Sequence, residues 1–184
     1  MKRIVILASG SGTLAQAIFD VDFSEIGAEV VALICDKPDA HVLQRAEMKH
    51  IESYLIPMLE DRNLWNVELE GLIAALRPDL VVSAGFMRIL PESITQRFKI
   101  INSHPALLPL FPGAHAVRDA MAAGATETGT TIHWVDAGVD TGEVISQEKI
   151  EILPEDTEES LHERIKIIER GLIVATIRRV IPTL

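Results

Sequence analysis

Apolar residues in this chain fall into short unbroken runs separated by stretches with helical spacing. Ile4 to Ala8 is a continuous, β-branched run stopped by Ser9-Gly10, and Ala28 to Cys35 repeats the signal. Runs of that length predict strands covered on both faces. Leu80 to Ala84, entered through Arg77-Pro78-Asp79, predicts a third strand, and Ile100 to Ser103 a short fourth. Leu14 to Phe19, Ala40 to Lys49 and Arg62 to Leu76 predict helices between them. Thr130 to Val135 and Glu143 to Ile150 alternate apolar and polar residues in parts, which predicts two more exposed strands. At the end, Leu161, Ile165, Ile168, Leu172, Thr176 and Val180 recur every three or four positions and predict a long helix, with Asp156 and Glu159 as its capping pair.

Strands alternating with helices from residue 4 to about 103 predict an α/β fold: a doubly wound, mostly parallel sheet whose N-terminal half is Rossmann-like. No repeat, low-complexity tract or linker divides the chain, so residues 1–184 read as a single domain. Ligands of such sheets sit at the carboxyl ends of the strands, where the strand order reverses.

Composition narrows the function classes. Against 17 Lys and Arg stand 27 Asp and Glu, a net charge of −10, which argues against nucleic acid as a partner. An anionic small ligand then needs a local device, such as a helix N-terminus or a single Arg. The lone Cys35 cannot form an internal disulfide and reads as a small buried hydrophobe in a reduced, cytoplasmic protein. The apolar run after Met1-Lys2-Arg3 is too short for a signal peptide, and no run is long enough to cross a membrane.

Gly10-Ser11-Gly12-Thr13-Leu14-Ala15 follows the first strand and opens the first helix, in the context of the G-x-G-x-x-G/A template. Backbone N–H groups there favour a phosphate, and Asp36 at the end of the second strand is placed to meet a ribose. Taken alone, the loop fits a nicotinamide dinucleotide, a monophosphate or a plain tight turn. A kinase-type P-loop is excluded, because no Lys follows Gly12 before residue 37.

A second cluster closes the fourth strand. Asn102-Ser103-His104-Pro105 is followed by the apolar loop Ala106 to Gly113, and Gly138 and Gly142 bracket Asp140 in a later loop. A His and an Asp in a partly dry cleft can act as a base and its orienter, and an Asn amide can donate to a developing oxyanion. That set suits acyl transfer. His104, His115, His133 and Asp140 lack the short spacing of a known zinc site, so no metal is expected. Ser103 is not in a G-x-S-x-G elbow, so direct attack by a substrate amine is simpler than a covalent route.

With these residues in view, the sequence resembles the phosphoribosylglycinamide formyltransferases of purine synthesis, the glycinamide ribonucleotide transformylases, from residue 3 to about residue 175. The resemblance is carried by Ala8 to Thr13, Ser83-Ala84-Gly85-Phe86-Met87-Arg88-Ile89-Leu90, Asn102 to Pro109, and Gly129 to Gly142. It implies a catalytic trio of Asn102, His104 and Asp140, and phosphate binding by Gly12, Thr13 and Leu14. It also implies a pocket for the co-substrate 10-formyltetrahydrofolate built from Arg62, Met87, Arg88, Ile89, Leu90, Asn102, Val139 and Asp140, with glycinamide ribonucleotide as acceptor and no metal. The oligomeric state stays open, a homodimer included.

Three departures stand out. Leu14 replaces a common Asn, so one phosphate contact is expected from backbone N–H only; Leu110 replaces a common Lys; and many members continue beyond the final helix with another strand and tail. A formyltetrahydrofolate hydrolase, or another formyltransferase using the same donor, is the nearest alternative. The dinucleotide-binding reading accounts for residues 4 to 36 only.

Overall fold

The computed structural model describes residues 1–184. β1 (Lys2–Ala8) lies inside a seven-stranded sheet. On one side it pairs in parallel with β2 (Ala28–Cys35), which is followed outward by β3 (Ser53–Leu55). On the other side lie β4 (Leu80–Ser83), β5 (Ile100–His104), β6 (Glu127–Trp134) and the edge strand β7 (Val144–Glu151). β1 to β5 are parallel, whereas the β5–β6 and β6–β7 pairs are antiparallel. The mostly parallel, doubly wound sheet read from the sequence is confirmed.

Side chains on a strand alternate between faces, so each apolar run feeds two cores. Ile4, Ile6 and Ala8 pack with Leu33, Cys35, Leu80, Val82 and Ile101 beneath α1 (Thr13–Phe19), α2 (His41–Met48) and α6 (Glu158–Val180). Val5 and Leu7 pack with Ala32, Ile34, Val81 and Ile100 beneath α3 (Arg62–Leu76), whose Trp65, Leu69, Ile73 and Leu76 face the sheet, and beneath Ile94 of α4 (Glu92–Arg97). Cys35 is fully buried in the first core. α5 (Ala116–Ala122) lies against α6 through Val117, Leu161 and Ile165. No helix is long and apolar enough to cross a membrane.

Several local expectations change. β6 is buried over Thr128 to His133, not exposed, and two of its hydroxyls find partners inside: Thr130 Oγ1 donates to the His104 carbonyl and Thr131 Oγ1 to the Ala106 carbonyl. The cap of α6 is Thr157, not Asp156. Thr157 Oγ1 accepts the Ser160 N–H while Ser160 Oγ accepts the Thr157 N–H, and Asp156 instead accepts from Leu153 N–H, Ser160 Oγ and Arg164. β3, α4 and α5 add three short elements that the hydrophobic pattern does not predict.

The strand order reverses between β1 and β4. The glycine loop after β1, the segment after β4 and the end of β5 all open at that carboxyl edge, which is where such sheets bind their ligands.

Candidate active site

Asn102 and His104 sit two residues apart on β5 and share one face, while Ser103 points to the other and donates its hydroxyl to Glu169 of α6. The antiparallel register sets His133 of β6 directly opposite Asn102, and cross-strand partners lie on the same face. Asn102 Nδ2 is 3.2 Å from His133 Nε2, and His133 Nδ1 is 2.8 Å from the Trp134 carbonyl. A carbonyl only accepts, so Nδ1 carries a hydrogen, and Nε2 faces one side of the Asn102 amide. One further amide hydrogen of Asn102 is left for a ligand.

Asp140 reaches the same place from the loop between β6 and β7, in a left-handed conformation (φ 54°). Asp136 Oδ1 shapes that loop by accepting from Gly138 N–H and Thr141 Oγ1. A Cβ on Gly142 would lie 1.6 Å from the Trp134 carbonyl oxygen, so only glycine closes the turn. Asp140 Oδ2 stands 3.3 Å from His104 Nδ1 and accepts the Gly113 N–H at 2.8 Å, and Oδ1 lies 3.5 Å from His133 Nε2. Burial raises the Asp140 pKa, but the His133 contact, the Gly113 N–H and the charges of His104 and His133 outweigh it and hold the carboxyl below its ordinary value. His104 Nε2 is 2.8 Å from the Phe111 carbonyl, so both ring nitrogens face acceptors. The structure thus brings Asn102, His104 and Asp140 together, with His133 as a fourth member that the trio did not include.

The glycine loop is held from behind by α2. Gly12 has φ 73°, and a Cβ there would lie 2.5 Å from Val42 Cγ2, so conformation and space both require glycine. The first bond of α1 runs from Gln16 N–H to the Gly12 carbonyl, which leaves the N–H groups of Thr13, Leu14 and Ala15 at its head without intrahelical acceptors. The Leu14 side chain is buried in the core, so only its backbone can serve a ligand. Arg45 Nε donates to the Ser11 carbonyl at 2.7 Å, adding a cation beside the loop. Asp36, expected to meet a ribose, is buried and paired with Arg88, which withdraws it from that contact.

Gly85 to Leu90 forms the third wall. Ser9, just before the glycine loop, donates its N–H to the Gly85 carbonyl, and its Oγ accepts the Met87 N–H at 2.9 Å. Arg62 does not project freely: Nη2 donates to the Ile89 carbonyl at 2.5 Å and the guanidinium lies 4.5 Å above the Trp65 ring. Burial lowers the Arg62 pKa, with the charge of Arg88 adding to the effect and Asp36 opposing it. Met87 and Ile89 are 67% and 64% exposed, and Leu110 and Val139 are exposed as well. Large apolar residues left in solvent can line a ligand surface. Leu90, grouped with them from the sequence, is buried in the α3 core, so its side chain cannot line that surface. No three His, Cys, Asp or Glu side chains are arranged to hold a metal ion.

Residues 2–177 match the sequence family described as formyl transferase. The phosphoribosylglycinamide formyltransferase of Mycobacterium tuberculosis is 44% identical over 179 residues, covering 95% of this chain and 83% of that protein. Its Bacillus subtilis counterpart is 38% identical, with coverage of 98% and 95%. Among solved structures, glycinamide ribonucleotide transformylase 1 from Symbiobacterium toebii superimposes with a TM-score of 0.92 at 36% identity, covering 98% of this chain and 88% of that one. The corresponding Geobacillus kaustophilus structure gives 0.91 at 37% identity, covering 98% and 99%. By sequence and by fold alike, the chain belongs to the formyl transferase family, among the phosphoribosylglycinamide formyltransferases.

Proposed function

We propose that this chain transfers the formyl group of 10-formyltetrahydrofolate to the amine of glycinamide ribonucleotide. The observation that carries the reading is the meeting of Asn102, His104 and Asp140 at the end of β5, between a helix head suited to a phosphate and a partly apolar surface suited to a folate. The family membership supports the reaction class.

The acceptor phosphate binds the N–H groups of Gly12, Thr13 and Leu14, with Arg45 supplying a local positive charge in an otherwise acidic protein. The donor lies along Met87, Arg88 and Ile89 and against Val139, with Arg62 beside them, anchored to the Ile89 carbonyl. The amine attacks the formyl carbon, forming a C–N bond and placing negative charge on the formyl oxygen. Asn102 Nδ2–H and His104 Nε2–H stabilise that oxygen. To reach it, Nε2–H exchanges the Phe111 carbonyl for the formyl oxygen. Asp140 stabilises the imidazolium and, directly or through water, moves the proton lost by the amine toward N10 of the folate, which leaves as the C–N10 bond breaks. No metal and no covalent enzyme intermediate takes part.

A spectrophotometric assay with 10-formyldideazafolate, a stable donor analogue, tests this reading. Release of the deformylated product only when glycinamide ribonucleotide is present is the expected result. Release without the acceptor would assign a hydrolase instead, and no release in either case would overturn the donor assignment.

A further inference from the structure

Asp36 ends at the edge where the ligand surfaces meet, yet no step of the transfer uses it. Its side chain is 1% exposed, Oδ2 pairs with Arg88 Nε at 2.5 Å, and Oδ1 is buried with no hydrogen-bond partner in the protein. Arg88 is therefore the one side chain that pairs directly with this deeply buried carboxylate. Arg88 commits only Nε to this pair. Its two terminal nitrogens make no hydrogen bond, and its side chain remains 29% exposed. An anchored guanidinium with both terminal nitrogens free presents a planar fork to a carboxylate or an amide carbonyl.

A second guanidinium stands close by. Arg62 is fixed to the Ile89 carbonyl one residue beyond Arg88, and two neighbouring like charges repel. Without the Asp36 carboxylate, that repulsion and the gain in hydration would both draw Arg88 away from the segment and into solvent. Ser9 and Arg62 hold the backbone of Gly85 to Leu90, so the Arg88 side chain is the part of the segment that depends on Asp36.

We propose that Asp36 is a positioning residue for the formyl donor: by holding Arg88 Nε it keeps the two free guanidinium nitrogens aimed at an acceptor group of the bound folate. The proposal rests on reading Gly85 to Leu90 as the donor surface. Asp36 touches neither substrate.

Binding of 10-formyldideazafolate by calorimetry, together with steady-state kinetics, is compared for the parent, Asp36→Asn, Arg88→Ala and the double variant. Freeing one long side chain that binding must then order corresponds to about a 3- to 10-fold loss of affinity. Asp36→Asn is expected to raise the donor Kd and KM by that factor, with kcat at saturating donor and the acceptor KM within about twofold. In the Arg88→Ala background, Asp36→Asn should add nothing to the donor Kd, because the side chain it positions is gone. An unchanged donor Kd in Asp36→Asn, or an equal loss in both backgrounds, would overturn the proposal. An unchanged donor Kd in Arg88→Ala would overturn the donor-surface reading itself, an outcome that variant reports separately. If the unpaired carboxylate prevents Arg88→Ala from folding, the double variant, which lacks both charges, should bind donor at least as weakly as Asp36→Asn; tighter binding would overturn the proposal.

Discussion

His104 Nδ1 and Asp140 Oδ2 stand 3.3 Å apart, and the same carboxylate oxygen accepts the Gly113 N–H. A strand end, a loop with a left-handed residue and the backbone of a third segment thus converge on one carboxylate. Its depressed pKa means that the folded site favours the anion.

Asp140→Asn removes that anion while keeping the shape. General acid/base and orienting groups contribute about 10²- to 10⁴-fold, and a kcat loss in this range is expected. The sign for stability follows from the lowered pKa: the contribution is present above the unfolded value and fades as the pH falls through the lower native one. Asp140→Asn should therefore have a lower Tm than the parent at pH 7, and the difference should shrink below pH 3.8. Thermal unfolding at both pH values checks this, and an equal difference at both would contradict it.

Gly12→Ala places a Cβ 2.5 Å from Val42 Cγ2 at a backbone with φ 73°. Overpacking a tight site costs about 1–3 kcal/mol, and the left-handed conformation adds roughly 1–2 kcal/mol for a residue with a Cβ. The expected result is a destabilised protein whose acceptor KM rises more than its donor KM. Equal KM changes would separate Gly12 from the acceptor phosphate.

Glu169 faces Ser103 on the side of β5 away from the trio. Burial raises its pKa, against the opposing effects of the Ser103 hydroxyl, Lys166 and Arg170. A raised native pKa gives stability that is full below the unfolded value of 4.5 and is lost as the pH climbs through the native value. Glu169→Gln keeps an acceptor for Ser103 without the charge, so it should melt above the parent at pH 8 and converge with it near pH 4. A lower Tm at pH 8 would show instead that Lys166 and Arg170 more than offset the burial of the anion.

Much of this arrangement could be read from the chain. The strands β1, β2 and β4 are legible because both faces of each are covered, which leaves unbroken apolar runs such as Ile4 to Ala8. β3 is three residues long and only partly buried, too short to leave a pattern. The burial of β6 is not legible because hydrophobicity does not register a threonine hydroxyl satisfied by a buried carbonyl. Asn102 and His104 are visible as a strand-end pair, but the place of His133 depends on antiparallel register, which no local pattern encodes. The contacts of Ser9 with Met87, Arg45 with Ser11 and Asp36 with Arg88 likewise join segments far apart in sequence.

His104 is buried, paired with Asp140 and on the same face of β5 as Asn102. The decisive measurement is kcat of His104→Ala for transfer from 10-formyldideazafolate to glycinamide ribonucleotide, with both substrates saturating and folding verified by circular dichroism. A loss of at least about 10²-fold is predicted; turnover close to that of the parent would contradict the assignment of the chemistry to this site.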